Sequence, residues 1–211
     1  MNIIQDFIPV GRPNRPGLAM VPLYITIHDT DNDDYGADAK RHAQYIKTTD
    51  KTDSWHYTVD DTSIYQHLPL DENGWHAGDG PYGQGNRKSI GIEICMNPEC
   101  DRTKAEANAA WLVAKLLREV PSLYDYPEAV KQHYDWSWKN CPSVIRGAGR
   151  WPAFMEAVRK ELEPVPDWMT VAIKDLEKRG ILTAGTWKGS EVVNMGLMAA
   201  IIVKVLKFLG K

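Results

Sequence analysis

The stretch Ser89-Ile90-Gly91-Ile92-Glu93-Ile94-Cys95 alternates without a break, with Ile90, Ile92 and Ile94 on one side and Gly91, Glu93 and Cys95 on the other. A period of two is the period of a β-strand. Three isoleucines on one face call for an apolar layer to cover them. The opposite face carries Glu93, a carboxylate that is costly to bury without a partner or a purpose. On the residues alone it reads either as a salt-bridged or solvent-edge glutamate or as a functional one.

Other segments surround this strand with a consistent pattern. Leu23-Tyr24-Ile25-Thr26-Ile27 is β-branched and aromatic and predicts a buried strand ending at His28. His56-Tyr57-Thr58-Val59 and Ser63-Ile64-Tyr65-Gln66 flank Asp60-Asp61-Thr62 as a hairpin. Residues 37–47 favour helix. Thr103 to Val120 predicts a long helix, with Thr103 and Glu106 spaced as a capping box and Pro121 as its stop. Trp151-Pro152 opens a further helix to Glu163, Pro152 standing where the first turn tolerates it. Strands mixed with helices predict an α/β fold with a mixed central β-sheet and helices on its faces.

A break follows at Glu163-Pro164-Val165-Pro166-Asp167, where two prolines stop a helix and favour an extended spacer. Upstream lies one domain, residues 1–163. Downstream, residues 167–211 predict a small C-terminal helical module, with helices over 168–179 and 191–209. Two helices make a thin core, so this module calls for a partner or a second copy.

Composition excludes several classes. Among 211 residues, 43% are hydrophobic and 25% charged, as in an ordinary globular protein, and the net charge of −3 gives no footprint for nucleic acid. No run reaches the roughly 20 apolar residues of a transmembrane helix. The amino terminus lacks the basic start and apolar run of a signal peptide, so synthesis in the cytoplasm is expected. Three cysteines (Cys95, Cys100, Cys141) leave at least one unpaired; Cys95 and Cys100 could bridge, but free thiols in a reducing compartment are the simpler account. Eight tryptophans and nine tyrosines against three phenylalanines suit either a groove that stacks on sugar and peptide or a core with wet edges.

Spacing alone does not single out His28, His133 and Cys141 from the six histidines and three cysteines. What does is a resemblance. Tyr24-Ile25-Thr26-Ile27-His28-Asp29-Thr30, Ser54-Trp55-His56-Tyr57-Thr58-Val59-Asp60, Gly74-Trp75-His76-Ala77-Gly78, Ser89 to Ile94, and His133-Tyr134-Asp135-Trp136-Ser137-Trp138-Lys139-Asn140-Cys141-Pro142 occur in that order. Over residues 20–160 the chain resembles the type 2, peptidoglycan-recognition-like N-acetylmuramoyl-L-alanine amidases, endolysins and autolysins in particular.

The resemblance implies that His28, His133 and Cys141 hold Zn2+, a borderline-soft ion suited to two imidazoles and a thiolate, with a fourth position left open. It implies a catalytic role for Glu93 and an oxyanion-stabilising one for Lys139. Trp55 stands where related chains often carry tyrosine, and either shapes the groove or takes part in the chemistry. His76 either contacts the glycan or lactyl group or supports another residue from behind. His42 and His67 read as structural or exposed.

The implied activity is hydrolysis of the amide between N-acetylmuramic acid and L-alanine in bacterial peptidoglycan, with release to the wall through a holin-type lesion. Two alternatives remain: a non-catalytic peptidoglycan-binding protein, in which the cysteine ligand is usually missing, and a cytosolic muropeptide-recycling amidase, which would not need an appended module. That module faintly resembles wall-anchoring helical repeats. A dimerisation hairpin, a membrane-surface helix with Lys204, Lys207 and Lys211 on one side, and plain core packing of most of the apolar residues are the other readings.

Overall fold

The computed structural model describes residues 2–163, 174–175 and 177–179. The chain divides into two compact units, Met1–Glu163 and Pro164–Lys211. Apart from those five residues, the helices expected over 168–179 and 191–209 lie outside the described residues.

In chain order the first unit contains β1 (Ile3–Gln5), β2 (Tyr24–Asp29), α1 (Ala39–Thr48), β3 (Tyr57–Val59), β4 (Ile64–Gln66), α2 (Gln84–Lys88), β5 (Ser89–Ile94), α3 (Arg102–Glu119), β6 (Val130–Gln132), α4 (Tyr134–Ser137), α5 (Ser143–Gly147) and α6 (Trp151–Leu162). The strands form one sheet in the order β1-β4-β3-β5-β2-β6. The β3–β4 hairpin is antiparallel and every other pairing is parallel. This is the mixed central sheet that the sequence predicts.

The isoleucine face makes the main core. Ile25, Ile27, Ile90, Ile92 and Ile94 are completely buried, together with Leu112 and Val113 of α3 and Val158 of α6. Each such side chain contributes roughly 1.5–3 kcal/mol through burial. Across the sheet, α1 packs against β3 and β4, and Ile46 joins Ile8 and Leu68 in a second cluster beside Trp55. Both faces are covered, as a parallel sheet requires.

The long helix departs from its expected cap. Asp101, not Thr103, is the N-cap of α3, its carboxylate accepting from the Lys104 amide at 3.2 Å. Aspartate outranks threonine at this position, and the helix starts one residue earlier than expected. Glu106 caps nothing; it accepts from Arg102 (2.8 Å) and Arg150 (2.6 Å), tying the start of α3 to the residue before α6. The strand β2 also runs one residue past His28, to Asp29.

Candidate active site

Register brings the candidate residues together. His28 on β2 is the Cα partner of Glu93 on β5, and Glu93 is the partner of Thr58 on β3. Laterally paired residues project to the same face of a sheet. Here it is the face opposite the isoleucines, so His28, Glu93 and Thr58 stand in a row near the carboxyl ends of three parallel strands. His133 directly follows β6, and its amide donates to the Ile27 carbonyl at 3.2 Å, which seats it beside His28. Cys141 follows α4; its carbonyl accepts from Tyr134 N at 3.1 Å, and its sulfur accepts from Asp29 N at 3.4 Å.

Nδ1 of His28 lies 3.0 Å from Nδ1 of His133 and 3.8 Å from Sγ of Cys141. The three donor atoms fall within 4.8 Å of one another, and all three residues are buried. Among the described residues this is the one His/Cys/Asp/Glu group with the spacing of a metal site. Burial sets its protonation. It holds His28 well below the ordinary imidazole value, helped by His76 and His133, and holds His133 down to about 4. Burial also raises the Cys141 thiol to about 12, with Glu93 adding to the effect.

Glu93 completes the cluster. Its Oε1 stands 3.9 Å from His28 Nδ1, and its Oε2 is buried with no hydrogen-bond partner among the described residues. Burial, with Asp29 nearby, raises its carboxyl well above the ordinary range; Lys139 acts in the opposite sense. Lys139 is half exposed, with Nζ 3.9 Å from Asp31 Oδ2. Trp55 donates its indole N–H to Thr58 Oγ1 at 2.7 Å, which fixes the ring as a wall. All seven residues singled out in the sequence line one cleft of about 780 Å³.

His76 is the exception in kind. Its Nδ1 lies 3.0 Å from His28 Nε2 and its Nε2 lies 3.2 Å from the Ser89 carbonyl. Both nitrogens thus have partners inside the protein, while the ring also lines the cleft.

Sequence reasoning missed Asp29. Its carboxylate is buried, forms a close ion pair with Arg102, and accepts from Val144 N at 2.7 Å. It thereby ties the end of β2 to the first turn of α5, just after Cys141. Its place next to His28 within a quoted motif was the only signal.

A mixed sheet with two imidazoles, a thiol and a buried carboxylate gathered at its strand ends defines an α/β chain with a group of side chains that could hold a metal ion. The chain belongs to the N-acetylmuramoyl-L-alanine amidase family, whose model matches residues 18–144. It is 57% identical over 159 residues to the N-acetylmuramoyl-L-alanine amidase XlyA of Bacillus subtilis (strain 168), covering 75% of this chain and 51% of that protein. It is 51% identical over 166 residues to CwlH of the same organism, covering 78% of this chain and 64% of that protein. The chain thus spans about half to two thirds of the length of these curated relatives. The solved catalytic domain of XlyA superposes with a TM-score of 0.70 at 56% identity, covering 75% of this chain and 99% of that domain.

Proposed function

We propose that this chain is a zinc-dependent amidase that hydrolyses the bond between N-acetylmuramic acid and L-alanine, acting on bacterial peptidoglycan at the cell wall in the manner of an endolysin. The relatives' names support the bond. The observation that carries the metal is the facing pair of Nδ1 atoms.

In this reading neither ring places a proton between them. His28 has its Nε2 against His76, and the Nε2 of His133 lies beside Gly78, with the Ala77 backbone favouring the protonated ring. With His133 carrying its proton on Nε2, two lone pairs stand 3.0 Å apart on rings that burial keeps neutral. Such an arrangement asks for a cation. A tetrahedral zinc ion separates nitrogen and sulfur donors by roughly 3.3–3.6 Å, close to the 3.0 and 3.8 Å found here. Two imidazoles and a thiol are also the donor set zinc prefers. When bound, zinc supplies Lewis acidity to the scissile carbonyl and to the attacking water.

The protein's own groups do the rest. Glu93, with its free Oε2 and raised basicity, takes a proton from water as the oxygen adds to the carbonyl carbon. It then delivers that proton to the alanine nitrogen as the carbon–nitrogen bond breaks. Lys139, on the same cleft, places its positive charge where the carbonyl oxygen becomes negative. Trp55 gives a flat apolar wall against which sugar or peptide packs.

Mass analysis of purified walls digested by the full chain tests this reading. New free L-alanine amines are the expected product. Reducing sugar ends instead would identify a glycosidase, and intact walls would identify a binding protein.

A further inference from the structure

A carbonyl oxygen can only accept a hydrogen bond. The His76 ring, whose Nε2 stands 3.2 Å from the Ser89 carbonyl, therefore carries its proton on Nε2. Its Nδ1 is left as a bare acceptor, 3.0 Å from His28 Nε2. His28 completes that bond only by keeping its own proton on Nε2. The remaining lone pair of His28 is then on Nδ1, the atom that faces His133 and Cys141. From this chain of contacts we infer that His76 is a positioning residue, relaying the Ser89 carbonyl to His28 and fixing the tautomer and ring orientation in which His28 presents Nδ1 to the metal. The inference rests on the zinc reading above for its purpose, though not for its geometry.

The slot around His76 is built for the ring. A Cβ at Gly91 would lie 2.9 Å from the His76 ring carbons, and one at Gly74 would lie 3.2 Å from Cδ2 and 2.8 Å from the Ser54 carbonyl. Gly91 itself is held in place, because its amide donates to His56 Nδ1 at 3.0 Å while His56 Nε2 donates to the Glu72 carbonyl at 3.0 Å. On the backbone side, the amides of His76 and Ala77 both donate to Asn86 Oδ1 at 2.8 Å. A residue present only to fill space would not need both ring nitrogens satisfied in this order. Partners of this kind behind a ligating histidine are worth about 10–100-fold in metal affinity.

The first readout needs no variant. Nitrogen-15 shifts of the histidine rings in the metal-free full chain should place the protons of His76 and His28 on Nε2, and a His28 proton on Nδ1 would overturn the relay. The second compares His76→Leu with His76→Gln, zinc affinity being read by competition with a chromogenic chelator. Glutamine can accept from His28 through Oε1 and donate to Ser89 through its amide nitrogen; leucine can do neither. We expect about 10–100-fold weaker zinc binding in the leucine variant and affinity within a few-fold of the parent in the glutamine variant. Parental affinity in a folded leucine variant would overturn the proposal; an unfolded one leaves the decision to the ring shifts and the glutamine rescue. If the parent chain binds no zinc, the metal reading fails, while the ring shifts still decide the relay.

Discussion

His28 Nδ1 and His133 Nδ1 face each other at 3.0 Å across 105 residues of sequence, on rings whose Nε2 atoms are turned to His76 and to the backbone at Gly78. The contact exists because β2 and β6 are parallel neighbours and His133 continues β6 in register beside the end of β2. The parallel β2–β5 pairing sets Glu93 beside His28 in the same row. The sheet therefore brings the proposed metal donors and base to one end of its strands without any of them being close in sequence.

Glu93→Gln should keep the fold and the bound zinc while turnover on soluble muropeptides falls by about 10²–10⁴, the usual worth of a general base. Steady-state kinetics alongside metal analysis checks this. Near-parental turnover would make Glu93 a structural residue.

Lys139→Ala should lower kcat by roughly 10²–10³, with KM little changed, because its charge is needed as the oxyanion develops. A change confined to KM would assign Lys139 to substrate binding.

Stability should fall in mild acid through two buried histidines outside the proposed ligand set. Burial lowers His56 to about 4 and His67 to about 3 in the folded chain. Both titrate near 6.5 once unfolded, so the unfolded state binds more protons below that value. The stability that neutral His56 and His67 supply is complete above about pH 6.5 and is lost as pH falls towards 4. At pH 5 the loss is on the order of 2 kcal/mol for each ring. Urea unfolding at pH 7 and pH 5 measures it, and the His67→Gln variant should show a smaller difference between the two.

Truncation after Glu163 should leave a folded, zinc-binding domain, since every proposed ligand and catalytic group lies upstream. On soluble muropeptides it should match the full chain. On intact walls it should be slower if residues 167–211 tether the enzyme, because tethering raises local substrate concentration. Sedimentation with walls, with lipid vesicles and in buffer separates wall anchoring, membrane contact and dimerisation. Equal wall binding and lysis by both forms would remove a targeting role.

Much of the fold was legible because alternation and helix punctuation are local signals. Ile90, Ile92 and Ile94 identified β5, and the pattern around Asp60 identified the β3–β4 hairpin. The three-residue strands β1 and β6 carry no pattern of their own, and only pairing to β4 and β2 makes them strands. The grouping of His28, His133 and Cys141 could be read from ordered motifs and not from spacing, since His28 and Cys141 lie 113 residues apart. The orientation of His76 and the burial of Asp29 against Arg102 depend on sheet register and on contacts from α3, which no local window contains.

Zinc content is the most direct test of the whole account. The full chain, dialysed against trace zinc and measured by elemental mass spectrometry, should hold about one zinc ion, lose it with activity in chelator and regain both on readdition. Cys141→Ser should hold far less under the same conditions, because a hydroxyl is a poor substitute for a soft thiolate. A parent chain without zinc, or a Cys141→Ser variant with full occupancy and activity, would contradict the account.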